Sequence, residues 1–470
     1  MSFLIYDLTF LVLFSLAIGL FLWFERKKLK REGIMFLYKT SIGLKLIDYI
    51  GKKYQKTLKF LSYISIGIGY ILMVGSIYLL IQLVYLFTKP EIVQAVKVPP
   101  IMPLIPYLPA LFKIDYLPPF YFTYWILAIA LVAIFHEGFH GIFARFYNIK
   151  IKSTGFGFLG PFLAFFVEQD EKQMQKAKPF AQMSMLSAGV FANVLLSVIF
   201  FLFMVWFFNA AYTPSGVLFN DYSYSVATIG MMSSAAVMNE TLKVDGITLV
   251  KIKINNESYY VSEAVFEINK SKVENTTLVK LYQDLPAIKV GMRGAITSIN
   301  GIAVLDDKQL SKILNSYKPG DSIIIITEEK TNTNTTNFEY SIRLETAYDN
   351  ESRAVIGVAT FMPKTRALKI VISKMINSFK NPNIYYTPKI NPDFTIFFYT
   401  LLWWIFVINI SVAIANMIPI AIFDGGRFFY LTILVITKRK KWAEKSFKYM
   451  TWFLLGLLSL SMVLYFIGIF

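Results

Sequence analysis

Residues Leu131–Phe146, LVAIFHEGFHGIFARF, set a histidine, a glutamate and a second histidine inside a run apolar enough to belong to a membrane span. The chain of 470 residues has two histidines, and both are here. On a helix, positions i and i+4 lie one turn apart on one face. His136 and His140 therefore share a face, and Glu137 sits beside the first. An ionisable side chain at the centre of a span costs about 3 kcal/mol or more, and such groups are functional by default.

The surroundings agree with a membrane reading. The chain is 56% hydrophobic and 17% aromatic, too apolar for a water-soluble globule. Runs of about 18 or more apolar residues match the thickness of a bilayer's hydrocarbon core. Six such spans are expected: Leu8–Phe24, Leu61–Phe87, Phe120–Phe143, Met183–Phe208, Phe394–Ile414 (continuing, broken, towards Leu434) and Tyr449–Ile469. The N-terminal run has no basic residue before it and no small-residue cleavage site after it, so it reads as an uncleaved span.

Net charge is +17, but the lysines and arginines cluster between spans, at Arg26–Lys59, Arg145–Lys178 and Lys438–Lys448. That is the distribution of loops facing the cytoplasm, and no nucleic-acid partner is expected from it. Both termini and the segment Asn209–Asp393 then face outward. Sequons at Asn239, Asn256, Asn269, Asn275, Asn334 and Asn350 agree with that side. The absence of cysteine excludes disulfides, thiolate metal sites and cysteine catalysis.

Two loops are unusual. KVPPIMPLIPYLPALFKIDYLPP, Lys97–Pro119, is proline-rich and apolar, and reads as an extended segment at the outer interface. STGFGFLGPFLAFFVEQDE, Ser153–Glu171, is too apolar for a free loop and too broken by glycine for a helix. A hairpin dipping into the membrane is expected, with Phe156–Phe166 offering its edge to an extended substrate. The outer segment differs in kind. GMRGAITSINGIAVLDDKQLSKIL predicts a strand, a tight turn at Asn300-Gly301, a second strand and an amphipathic helix. KPGDSIIIITEEK and NFEYSIRLE add strands, TNTNTTN reads as a loop tip, and Thr213 to about Lys280 has room for an insertion.

Residues 136–140 form H-E-x-x-H. Two imidazoles on one helical face can bind one zinc ion, while the adjacent carboxylate takes a proton from water that the metal activates. Hydrolysis of a peptide bond is the chemistry this supports, with Glu137 returning the proton to the leaving amine. A third protein ligand is needed, and without further His or Cys it must be Asp or Glu. Asp424, in NMIPIAIFDGGRFF (Asn416–Phe429), follows an apolar span that Pro419 breaks, with Gly425 and Gly426 free to turn beside it. Glu168, Asp170 and Glu171 are the alternatives, reading otherwise as solvated loop charge.

H-E-x-x-H in one span and N-x-x-P-x-x-x-x-D-G in a later one, around a small outer domain, resembles the site-2 protease family of intramembrane zinc metalloproteases. SAGVFAN, Ser187–Asn193, resembles that family's A-G-P-x-x-N, the hairpin resembles its membrane-re-entrant hairpin, and the outer domain resembles its inserted PDZ domain. The resemblance covers about Pro99 to the C-terminus. It implies that His136, His140 and Asp424 bind one zinc ion, that Glu137 is the general base, and that Asn416 holds substrate or the developing oxyanion. Val190 and Ala421 stand where the family has prolines.

The expected architecture is a polytopic α-helical membrane protein with a re-entrant β-hairpin and an extracytoplasmic α+β PDZ-like domain. Residues 1–98 hold two N-terminal spans and a basic loop, 99–212 and 394–470 form the two parts of the catalytic core, and 213–393 the outer domain, clearest at 280–360. Expected partners are membrane lipid and a single-span membrane protein as substrate, with peptide contact by the PDZ-like domain. Rival readings are an inactive zinc-binding homologue, a metal transporter, and a scaffold that presents the outer domain. The transporter reading requires polar positions spread through the membrane depth, not converging on one site.

Overall fold

A computed structural model of the chain describes residues 3–33, 35–89, 93, 99–100, 102–112, 114, 117–160, 162–228, 235–244, 246–265, 278–330, 335–360 and 379–469. Two units emerge, Met1–Phe207 with Asp393–Phe470, and Phe208–Pro392.

The first unit is built on α1 (Phe3–Phe24), α2 (Leu44–Lys53), α3 (Gln55–Phe87), α4 (Phe122–Phe146), α5 (Pro179–Ala211), α6 (Pro392–Asn416), α7 (Asp424–Thr437) and α8 (Lys440–Ile469). Six of these, all but α2 and α7, are long and apolar enough to cross a membrane. The chain is a polytopic membrane protein. Burial ranks the helices: 44% of the apolar window of α5 is buried against 6% for α1, so α5 is central and α1 peripheral. Small residues on α5, Ser184, Ser187, Ala188 and Gly189, let its neighbours approach closely. Phe143, Met185, Ala413, Met417 and Phe428 close one core around it. A second core joins α4 to α6, where the rings of Phe120 and Trp404 stack with centroids 4.0 Å apart. Helix α3 braces α7 through Tyr70, whose ring meets Phe428 edge-on and whose hydroxyl lies 3.1 Å from Thr432 Oγ1.

The segment between the first two spans is not a loop. It folds into β1 (Leu29–Glu32), β2 (Met35–Thr40) and α2. Strand β2 pairs with β3 (Ile151–Leu159), which pairs with β4 (Phe162–Gln169), giving a four-stranded antiparallel sheet ordered β1-β2-β3-β4. Strands β3 and β4 form a β-hairpin, with Gly160 at φ 59 in its turn. Its edge differs from the expectation for Phe156–Phe166. Phe156 and Phe158 on β3 are already paired with Tyr38 and Phe36, so of the hairpin's two strands β4 is the one at a sheet edge among the described residues. The ring of Phe162, at the hairpin tip, meets Trp125 in the first turn of α4 at 5.2 Å. The hairpin therefore runs along most of that helix. In the proline-rich loop, Leu108–Leu111 makes one helical turn.

In the second unit, a sheet orders Thr335–Arg343, Ser322–Lys330, Ala295–Ile299, Tyr212–Val217 and Ile384–Pro388, with Ile302–Ala303 paired to the third strand. Asn300 and Gly301 both have positive φ, 47° and 77°, as a tight hairpin turn needs. The helix Asp307–Leu314 follows, capped by the Asp306 carboxylate, which accepts from Gln309 N. Thr335, Thr336 and Asn337, expected in a loop tip, belong to a strand, because they pair with Lys330, Glu329 and Glu328. The rest of that tip lies outside the described residues, as do the sequons at Asn269, Asn275 and Asn334. Within Thr213–Lys280 most of a second, five-stranded sheet forms, ordered Tyr224–Thr228, Leu278–Gln283, Glu257–Ser262, Ile247–Ile254 and Ala236–Val244.

Candidate metal centre

Helix α4 is continuous through His136, Glu137 and His140, so the two imidazoles lie on one face, as their spacing requires. Both are nearly buried, at 8% and 7% exposure. Their Nε2 atoms are 3.1 Å apart, and each lies 3.4 Å from Asp424 Oδ2.

Helix α5 fixes the far side of both rings. Met185, Gly189 and Asn193 recur every fourth residue and form one face. The Met185 carbonyl is 2.7 Å from His140 Nδ1. A carbonyl only accepts, so Nδ1 carries the proton and Nε2 keeps its lone pair. The Asn193 side-chain amide is 3.1 Å from His136 Nδ1, and its oxygen has no partner among the described residues. Turning the amide end for end places that oxygen on Nδ1 and fixes His136 in the same tautomer. Between them, a Cβ on Gly189 would lie 2.5 Å from His140 Nε2 and 2.8 Å from His136 Nδ1. Only glycine lets α5 pass this close.

Asp424 is the first residue of α7, where the helix dipole favours a negative charge. Helix α6 ends at Asn416, and the chain turns through Met417–Phe423 before α7 begins. Gly425 and Gly426 do not make that turn. They lie inside α7, and a Cβ on them would reach 2.4 Å from the Met417 carbonyl and 2.3 Å from Ile420 O. Their smallness lets α7 dock on the returning chain, which carries Asp424 to the histidines. Of the alternative carboxylates, Asp170 caps the helix Glu171–Lys176 by accepting from Gln173 N. Glu168 pairs with Lys39 and accepts from Ser153 Oγ. Glu168 and Glu171 line the cavity in front of the histidines without joining the cluster.

Two unprotonated imidazole nitrogens and a carboxylate oxygen facing one another within 3.4 Å repel unless a cation lies between them. Ligands at about 2.0–2.1 Å from a tetrahedral zinc are about 3.3–3.4 Å apart, so the triangle fits such an ion. Beside it, Glu137 accepts a hydrogen bond from the backbone N–H of Val167 on β4 at 3.2 Å. Asn416 Nδ2 lies 3.4 Å from His136 Nε2. A cavity of about 570 Å³ opens onto the group, and Glu137, Asn416, Asp424 and Arg427 line it. Arg427, which donates to Gln182 Oε1 at 3.0 Å, was not anticipated. Its spacing of three residues from Asp424 on α7 is the signal that places it there.

A ligand triangle inside a bundle of apolar helices, with a carboxylate held at its side and a cavity in front, defines a class, the membrane metallopeptidases. Within that class the chain belongs to peptidase family M50, the site-2 protease family, whose model matches residues 124–461. No curated protein matches the chain.

Proposed function

We propose that the chain is an intramembrane zinc metalloprotease that hydrolyses a peptide bond within or next to the membrane helix of a single-span protein. The carrying observation is the triangle of His136 Nε2, His140 Nε2 and Asp424 Oδ2, with Glu137 beside it. These three residues would hold one zinc ion. Zinc, when bound, supplies a Lewis acid that makes water nucleophilic at neutral pH. Glu137 takes the proton of the attacking water and delivers it to the nitrogen of the breaking C–N bond. Asn416 would donate its amide N–H to the substrate carbonyl oxygen as charge develops there.

A substrate helix must unwind before its carbonyl can be attacked, and an unwound segment in lipid needs partners for its N–H and C=O groups. Strand β4 would supply them by strand addition. The Val167 N–H points away from β3 toward Glu137, and alternation turns the backbone groups of Leu163 and Phe165 the same way. The Trp125–Phe162 contact supports a hairpin that enters the membrane beside α4. The basic loops support a cytoplasmic-side active site, with both termini and the PDZ-like second unit outside.

The test is cleavage of a tagged single-span protein by purified chain in detergent, with zinc measured on wild type and Glu137→Gln. Wild type cleaves and Glu137→Gln is slower by about 10²–10⁴-fold, with about one zinc in each. Wild type without zinc overturns the reading.

A further inference from the structure

Helix α4 has no cap of its own. Its N-cap residue, Tyr121, is extended and its side chain makes no capping bond, and the first turn holds no acidic residue. The first N–H groups of a helix have no partner within the helix, and inside a membrane protein no bulk water satisfies them. The missing acceptor comes from a different helix. Asp7, on α1, is 1% exposed. Its Oδ2 accepts from Phe122 N at 2.8 Å and Tyr107 OH at 2.5 Å. Its Oδ1 accepts from Thr123 N at 2.9 Å and Thr123 Oγ1 at 2.5 Å. Burial, and then the bond to Asp7, push the Tyr107 hydroxyl above the usual phenol range, so it remains a donor. A buried carboxylate with three donors on α4 and a fourth, the Tyr107 hydroxyl, in the loop before it is strongly specified in position. It lies outside residues 124–461 that the family shares.

The other end of α1 is fixed to the hairpin sheet. Phe21 packs its ring on Tyr38 of β2 and Phe158 of β3, with centroids 5.2 and 5.5 Å away. Eight residues after Phe21 the chain enters β1, so α1 and the sheet are one continuous piece. That piece touches α4 near its start through Asp7, and again at the level of the catalytic glutamate, where Val167 N donates to Glu137; about two turns further on, α2 holds α4 through the Asp48–Arg145 ion pair. A slip of α4 by one residue along its axis, about 1.5 Å, would take the Glu137 carboxylate off β4.

We propose that Asp7 is a positioning residue, and that α1 is a rod whose clasp on α4 sets the axial register of Glu137 against the edge strand β4. This rests on the protease reading for its consequence in cleavage, but not for its geometry. The test uses full-length protein, wild type and Asp7→Ala. It follows zinc content, backbone amide exchange across Phe162–Gln169, and cleavage. Because the chain has no cysteine, Phe14→Cys and Phe122→Cys, at rings 5.4 Å apart, can be bridged by a short bifunctional thiol reagent. Asp7→Ala is expected to keep its zinc, exchange faster in β4 and cleave about tenfold more slowly, a barrier change of about 1.4 kcal/mol. The bridge in the Asp7→Ala background restores both exchange and rate. Wild-type exchange and rate in Asp7→Ala overturn the proposal, and so does a loss that the bridge leaves unrepaired. If wild type fails to cleave, the protease reading falls and amide exchange still decides the clasp.

Discussion

Asp424 and Asp7 are both aspartates in the membrane unit, and each lies against α4, the helix of His136 and His140. Their surroundings are opposite. Asp7 receives four N–H and O–H donors at 2.5–2.9 Å. Asp424 faces two imidazole nitrogens at 3.4 Å, beyond the range of a good hydrogen bond and right for sharing a metal. A carboxylate with its lone pairs met by donors is a cap. One facing other acceptors needs a cation. The contrast teaches that the chemistry of the facing atoms, and not burial, separates a structural carboxylate from a ligand.

The largest expected effect breaks that comparison if it is wrong. Asp424→Asn loses tight zinc binding and, with it, cleavage, because the amide is a poor third ligand. Asp7→Asn keeps about one zinc per chain. Metal content by mass spectrometry on both variants checks this, and equal zinc in the two would remove the distinction. Next comes the outer side of the histidines. Asn193→Leu removes the group that orients His136 and is expected to weaken zinc affinity by about 10–100-fold. Competition with a graded chelator measures it, and Asn193→Asp, which still accepts from Nδ1, recovers most of the affinity.

What could be read from the residues alone divides along the same physical line. The spacing of His136 and His140 specifies one helical face wherever the helix goes, and eliminating other ligand types leaves a carboxylate, with Asp424 ahead of Glu168, Asp170 and Glu171 because Pro419 breaks the span before it. The Asn300-Gly301 turn and the strand and helix after it were legible because their signals are local. Asp7 was not. The continuous apolar run starts at Leu8, one residue beyond it, while the helix begins at Phe3, and nothing local announces a cap for a helix more than a hundred residues away. In sequence β1 and β2 have the character of a basic loop, because Lys30, Arg31 and Lys39 satisfy the charge rule. The strand that β2 pairs with to join the hairpin, β3, is equally remote. The role of Asn193 needed the face of α5 that meets the rings, which its family motif marks but does not explain.

A smaller effect tests the strand edge. Phe165 shares the outward phase of Val167, so Phe165→Pro removes a donor from the open side and leaves the β3 pairing in place. Cleavage is expected to fall about tenfold, with zinc unchanged. Phe166→Pro, whose N–H faces β3, disturbs the sheet itself and raises amide exchange along it. Equal cleavage by Phe165→Pro and wild type would leave β4 without a role in holding substrate.

The smallest expected effect comes from a third aspartate, which completes the series. Asp306 caps its own neighbouring helix, accepting from Gln309 N at 2.7 Å, while the Gln309 side chain accepts from Leu305 N at 3.0 Å. Here the cap is local, and a companion bond at the same helix start survives its removal. Asp306→Ala should therefore cost about 1 kcal/mol, lowering the melting temperature of a unit this size by roughly 2–4 °C. Zinc content and the exchange of β4 should not move. Thermal unfolding of the full-length protein, followed by amide exchange in each unit, measures both. An Asp306→Ala change as large in β4 exchange as that of Asp7→Ala would mean that any lost cap loosens the hairpin. The special place of Asp7 at the head of α4 would then disappear.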